Sequence, residues 1–318
     1  MKKSLIALAI AGVVAAPAAF AATANVDVYG LVSVAYEFGD THEGTVDSKA
    51  SRIGVKGSED LGGGLTAIYK AEFLIADLST PSTGQTLATA SSGTAGNTVS
   101  NRDTFVGVKG AFGTVILGNH GTPEKISMGA NQWEDSIGDK GQILAGESGY
   151  ANKVVAYISP DYNGLHAAVA TVQTTGTADD SVASSYALIY KNGALGVNLG
   201  GTINEAPATG DTKTLTVSYG IAGVDLRASF QESKTVAATS TSDFDSFYVD
   251  ATYKMGAMDL TAAYGERDLV NAGSDLKATT LGVKYNLSKR TNVQLIWNNL
   301  ETAGVDASNT ALQLNHAF

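Results

Sequence analysis

Apolar and polar residues alternate with a period of two along most of the chain, and the alternation restarts after each of a series of turn-forming segments. Leu215, Val217 and Tyr219 alternate with Thr214, Thr216 and Ser218; Leu226, Ala228 and Phe230 with Asp225, Arg227 and Ser229; Phe247, Val249, Ala251 and Tyr253 with Tyr248, Asp250, Thr252 and Lys254. A period of two sends successive side chains to opposite faces of a strand, so each segment carries one apolar and one polar face. Counted this way the pattern predicts about sixteen strands. They cover 26–37, 51–59, 65–76, 102–110, 114–119, 153–159, 165–174, 184–191, 195–203, 213–221, 224–233, 245–255, 258–269, 275–288, 291–301 and 308–318.

The connections between these runs alternate in length. Short ones, at 60–64, 111–113, 160–164, 192–194, 222–223, 256–257 and 289–290, are mostly rich in Gly and Asn, as tight hairpins require. Long ones fall at 39–50, 77–101, 120–152, 175–183, 202–212, 234–244, 270–274 and 302–307. An even strand number with short turns at one end and long loops at the other is the layout of an outer-membrane barrel; a soluble sandwich has no reason to segregate loop lengths. Tyr157, Tyr190, Tyr219, Tyr253 and Tyr285 recur just before short turns, which fits an aromatic belt where a ring meets lipid and its hydroxyl meets water.

Alternation alone does not say which face is outside. The chain's beginning does. Lys2 and Lys3, the apolar run 5–16 and Ala19-Phe20-Ala21 have the three-part layout of an export signal, with cleavage expected near Ala21. An exported β-protein of this pattern is expected to invert the soluble arrangement, with its apolar face on lipid and its polar face lining a wet lumen. The expected fold is therefore all-β: a transmembrane antiparallel β-barrel over 22–318, closed by pairing its first and last strands, because an open edge in lipid would leave backbone groups unsatisfied.

Composition narrows the chemistry. The formal charge is −10, and loss of Lys2 and Lys3 takes it to −12, which excludes a nucleic-acid partner. Cysteine is absent, so no disulfide framework is available. The four histidines, His42, His120, His166 and His316, have no metal spacing, Gly146-Glu-Ser-Gly149 only half matches a nucleophile elbow, and Asp243 with Asp245 reads as a solvated loop. No catalytic, metal or cofactor site is expected. The loop 120–152 stands apart: it is too long to be a mere connection, and Glu124, Glu134, Asp135, Asp139 and Glu147 outnumber Lys125 and Lys140 in it. Folded into the lumen, it would narrow a channel that is otherwise wide, and give it an acidic wall.

Ser51-Arg-Ile-Gly-Val-Lys-Gly-Ser-Glu-Asp-Leu-Gly62, Arg102-Asp-Thr-Phe-Val-Gly-Val-Lys-Gly-Ala-Phe-Gly113, Thr122-Pro-Glu-Lys125, Tyr157-Ile-Ser-Pro160, Tyr285-Asn-Leu-Ser-Lys-Arg-Thr291 and the ending His316-Ala-Phe318 together resemble the general diffusion porins of Gram-negative bacteria. The resemblance implies a sixteen-stranded outer-membrane barrel, a homotrimer, and a third external loop, here 120–152, folded into the pore. The chain departs from that pattern at Asn119, where relatives often place Arg.

The expected function is passive diffusion of small hydrophilic solutes and ions, without catalysis; a membrane hydrolase or an adhesin on the same barrel are the alternatives. Strand parity nominates Arg52, Lys56, Lys70, Arg227, Lys254 and Lys284 as lumen-facing cations opposite the five loop carboxylates. The negative total charge then implies a mild cation preference. Expected partners are further copies of the chain, outer-membrane lipids including lipopolysaccharide, and the barrel-assembly machinery, for which the terminal aromatic strand ending at Phe318 is a recognition signal in such barrels.

Overall fold

The computed structural model describes residues 25–41, 43–75, 99–146, 149–173, 182–204, 210–234, 243–269 and 275–318. The expected export signal, the greater part of the 77–101 loop, and Glu147 lie outside the described residues.

The strands, in chain order, are β1 (Asn25–Gly39), β2 (Glu43–Ser48), β3 (Arg52–Gly62), β4 (Leu65–Ile75), β5 (Val99–Gly110), β6 (Gly113–Gly121), β7 (Tyr150–Ile158), β8 (Leu165–Gln173), β9 (Val182–Asn192), β10 (Leu195–Asn204), β11 (Asp211–Ile221), β12 (Val224–Lys234), β13 (Phe244–Met255), β14 (Met258–Leu269), β15 (Leu276–Asn286), β16 (Thr291–Thr302) and β17 (Val305–Ala317). From β3 onward each pairs antiparallel with the next. β1 closes the ring on β17, from Leu31 opposite Ala317 to Gly39 opposite Asn309. The other edge of β1 is shared: its first half pairs with β3 and its second half with β2. β2 and β3 are thus one interrupted strand, and the seventeen segments form a closed barrel of sixteen positions.

The interruption is a bulge. Leu31 faces Arg52 and Val34 faces Ser48, so Lys49, Ala50 and Ser51 oppose only Val32 and Ser33. Ala50 takes φ 50°, and Ser51 accepts from the Ser33 amide at 2.9 Å. The sequence pattern assigned 39–50 to a loop; the structure instead makes most of it strand, because Gly44 and the polar Glu43, Thr45 and Asp47 mask the alternation. The 302–307 connection is also shorter than expected. Ala303 (φ 52°) and Gly304 (φ 77°) form a two-residue hairpin, whose twist needs positive φ at both positions.

The faces are inverted relative to a soluble β-protein. Phe230, Leu312, Leu314 and Tyr219 are exposed on the outer surface, whereas Thr214, Thr216, Ser229, Gln231 and Gln313 are buried within. Outward apolar side chains gain from lipid what they would lose to water, and inward charges avoid the bilayer. Tyr157, Tyr219, Tyr253 and Tyr285 are exposed outward beside short turns, as an interfacial belt requires.

Candidate functional site

Between β6 and β7 the chain turns into the barrel. Its first element is helix α1 (Pro123–Met128), which packs on the inner face of β9, β10 and β11. Local sequence fixes both ends. Thr122 caps it, its hydroxyl accepting from the Lys125 amide at 3.2 Å, with Pro123 following where no amide is needed. Gly129 stops it at φ 63°.

The loop lies close on the wall because the wall offers glycine. A Cβ at Gly200 would come within 2.1 Å of Ser127 Oγ; one at Gly282 would meet the Trp133 ring at 2.7 Å, and one at Gly265 the Ile143 side chain at 2.8 Å. Trp133 is fully buried with Ala35, Ile296 and Ala311, and Met128, Ile143 and Leu144 pack with Tyr248, Ala263 and Ala278. These are the apolar clusters that tie the loop down.

Glu124 was expected among the pore carboxylates, but it faces the wall. It is 2% exposed. Thr202 and Thr212 donate to its Oε2 at 2.6 and 2.7 Å, and Thr214 and Gln231 donate to Oε1 at 3.1 and 3.3 Å. No basic side chain pairs with it among the described residues. Asp139 also has an internal task, accepting from the amides of Asp135 at 2.6 Å and Gly141 at 2.7 Å. Lys140 is buried and donates to the Gly129 carbonyl.

The loop's open side faces β1 to β5 across a cavity of about 350 Å³ lined by Lys49, Arg52, Lys70, Glu72, Arg102 and Asp135, among others. Here charges interleave. Asp135, held at φ 62°, reaches Arg52 at 3.2 Å and Arg102 at 3.5 Å, bridging loop to wall. Lys70 pairs with Asp103 at 2.8 Å and Glu72 at 3.3 Å; Arg102 reaches Glu72 at 3.5 Å; Lys49 pairs with Glu37 at 2.7 Å. Glu134 lies 3.6 Å from Lys125 within the loop. Lys70 and Lys56 stand over the Tyr29 ring, and Arg102 and Lys125 over Tyr150.

Of the nominated cations, Arg52 and Lys70 thus join Asp135 and Glu134 at the narrow zone, with Lys56 below them. Arg227 is on the other wall, 3.8 Å from Asp250. Lys254 pairs with Asp225 at 2.5 Å and Lys284 with Asp259 at 2.8 Å, both close to short turns, which places them at the barrel's lower mouth. Parity alone could not tell height.

The pattern missed Lys49, Arg102, Glu37, Glu72 and Asp103. Glu72 shares the parity of Lys70, so period-two reading could have found it. Arg102 and Lys49 could not be found that way, because each occupies a bulge. Glu72 faces Asp103 while Phe73 faces Asn101, leaving Arg102 as the extra residue. Bulges re-aim side chains beside functional sites.

A closed barrel, apolar outside, polar inside and partly filled by a charged loop, defines a transmembrane β-barrel pore. The chain matches the Gram-negative porin family over residues 5–303, and it belongs to that family. It is 32% identical to outer membrane porin protein 32 of Delftia acidovorans, across 100% of this chain and 94% of that protein. Major outer membrane protein P.IB of Neisseria meningitidis is 28% identical, across 92% and 91%. Among solved structures, the anion-selective porin from Comamonas acidovorans superposes with a TM-score of 0.73 at 24% identity, covering 93% of this chain and 100% of that one. The trimer form of OmpT from Vibrio cholerae gives 0.72 at 18% identity, covering 93% and 99%. The protein is an outer-membrane porin that provides a channel for passive diffusion.

Proposed function

We propose that this porin is a general diffusion channel for small hydrophilic solutes and ions, narrowed by its 120–152 loop and acting as a homotrimer. The observation that carries the reading is the bridge from Asp135 to Arg52 of β3 and Arg102 of β5, which ties the inserted loop to the barrel wall. Solutes then pass between interleaved charges whose size gap and field, rather than any covalent step, set the selection. The inner face of Thr, Ser, Gln and Asn supports a wet lumen over the filled one an adhesin would need. Trimerisation rests on the OmpT trimer form, and the apolar outer face is equally suited to lipid or to a neighbouring copy. Contacts with lipopolysaccharide, and recognition by the assembly machinery, rest on membership of the family.

We further propose a mild cation preference. In the narrow zone Lys49, Arg52, Lys70 and Arg102 each lie within ion-pair distance of a carboxylate, so their outward field is largely cancelled. What remains is the chain's excess of acid, −10 overall and −12 without Lys2 and Lys3. The Comamonas porin is anion-selective; this chain differs from the family's frequent Arg by carrying Asn119. Reversal potentials under a KCl gradient should show K⁺ favoured at low salt, with the preference fading as the ~10 Å screening length at 0.1 M shortens. A clear anion preference at low salt contradicts this, and assigns the dominant field to Arg52 and Arg102.

A further inference from the structure

Below the inserted loop, on the wall opposite the narrow zone, the inner faces of β9 to β13 enclose a second cavity of about 400 Å³. Its floor follows from the register. Lys191 faces Gly196, Gly196 faces Ser218, Ser218 faces Arg227 and Arg227 faces Asp250, a single row across five strands. Adjacent strands lie about 4.8 Å apart, so Lys191 and Arg227 start roughly 14 Å apart at their backbones. Only a glycine and a serine lie between them, so two long basic side chains flank an open gap.

The row below runs from Ala194 through Gly220 to Asp225. A Cβ at Gly220 would lie 3.4 Å from Asp225 Oδ1, so this carboxylate leans over the same gap from beneath. Asn198 stands above, its amide tied to the Ser127 carbonyl at 2.9 Å, which fixes the ceiling to the inserted loop. The charges are incompletely matched. Lys191 has no ion pair among the described residues, Arg227 lies 3.8 Å from Asp250 but its buried Nη1 has no hydrogen-bond partner, and the exposed Asp225 carboxylate, which holds Lys254 through Oδ2 at 2.5 Å, keeps Oδ1 toward the gap.

We infer that this recess is a solute subsite for the α-amino-acid head group: a carboxylate received between Lys191 and Arg227, and an ammonium received by Asp225. The two charges of such a head group are separated by a single carbon, which suits a gap with cations to each side and an acid directly below. The solute's side chain points to the open lumen, so the site selects zwitterions and does not discriminate among side chains. It deepens the diffusion-channel reading by naming a solute class, and it rests on that reading.

The test is tracer uptake of labelled glycine into proteoliposomes holding the full-length porin, with N-acetylglycine and glycinamide as analogues lacking one charge each. Glycine uptake should saturate, whereas both analogues should rise linearly. Lys191→Gln and Asp225→Asn alter exposed side chains; each should raise the half-saturating glycine concentration about five-fold, the size expected for losing one solvated ion pair. Lys277→Gln, at the far end of the barrel, should leave it unchanged. Linear glycine uptake, or half-saturation unmoved in Lys191→Gln and Asp225→Asn, overturns the proposal. KCl conductance of the same preparations separates the two readings: conductance with linear glycine uptake sinks the subsite alone, and absence of conductance sinks the channel.

Discussion

Replacing Glu124 by alanine is expected to widen the pore, raising single-channel conductance and admitting larger solutes, while the barrel stays folded. The carboxylate sits between loop and wall and accepts from side chains on three strands: Thr202 of β10, Thr212 and Thr214 of β11, and Gln231 of β12. Its removal strips an acceptor from all four, of which Thr214 and Gln231 are buried, and a buried polar group left unpaired costs about 1–3 kcal/mol. That cost is local to the bound state of the loop, since a loop that lifts away lets water reach the donors. The wall ladders do not depend on it. Glu124→Gln keeps the shape and one acceptor, and should restore most of the wild-type behaviour. Polymer exclusion in planar bilayers measures the effect, with heat-modifiable migration as the folding control. An unchanged cut-off in Glu124→Ala would show that the apolar seats at Trp133 and Ile143 hold the loop unaided.

Deleting Phe318 should lower the yield of folded barrel while leaving export intact. The residue closes the ring: its amide donates to the Gly30 carbonyl and its carbonyl accepts from the Gly30 amide, both at 3.1 Å. Its ring covers the face of Gly30, where a Cβ would approach Cζ to 2.3 Å. Loss of the residue opens the end of the β1–β17 seam within the membrane, where unsatisfied backbone groups cost several kcal/mol each. The amount of heat-modifiable barrel in outer-membrane fractions reads the outcome, and equal amounts with and without Phe318 would reduce it to one belt aromatic among several.

The barrel was legible because a lumen and a bilayer impose a strict period of two on every strand, and Leu215 to Tyr219 or Phe247 to Tyr253 display it without interruption. Where the backbone departs from that period, reading failed. Lys49 and Arg102 occupy bulges, so parity could not turn them inward, and the Ala303-Gly304 hairpin lacks the Asn or Asp that marks such turns. The inserted loop was recognisable from its length and acidity. The roles within it were not, because Glu124 and Asp135 look alike in sequence. What separates them is the threonines and glutamine opposite one and the arginines opposite the other, which come from strands up to 107 residues away. Gly200, Gly265 and Gly282 carried a signal, since glycine on an inner wall marks a close approach, but only the folded chain shows what approaches.

The central claim is a water-filled channel narrowed by the inserted loop, and conductance of the purified protein in a planar bilayer tests it most directly. Discrete steps should scale with KCl concentration and fall in proportion to bulk conductivity only when the added polymers are small enough to enter the pore. A protein that inserts as a folded barrel yet gives no conductance steps would contradict it.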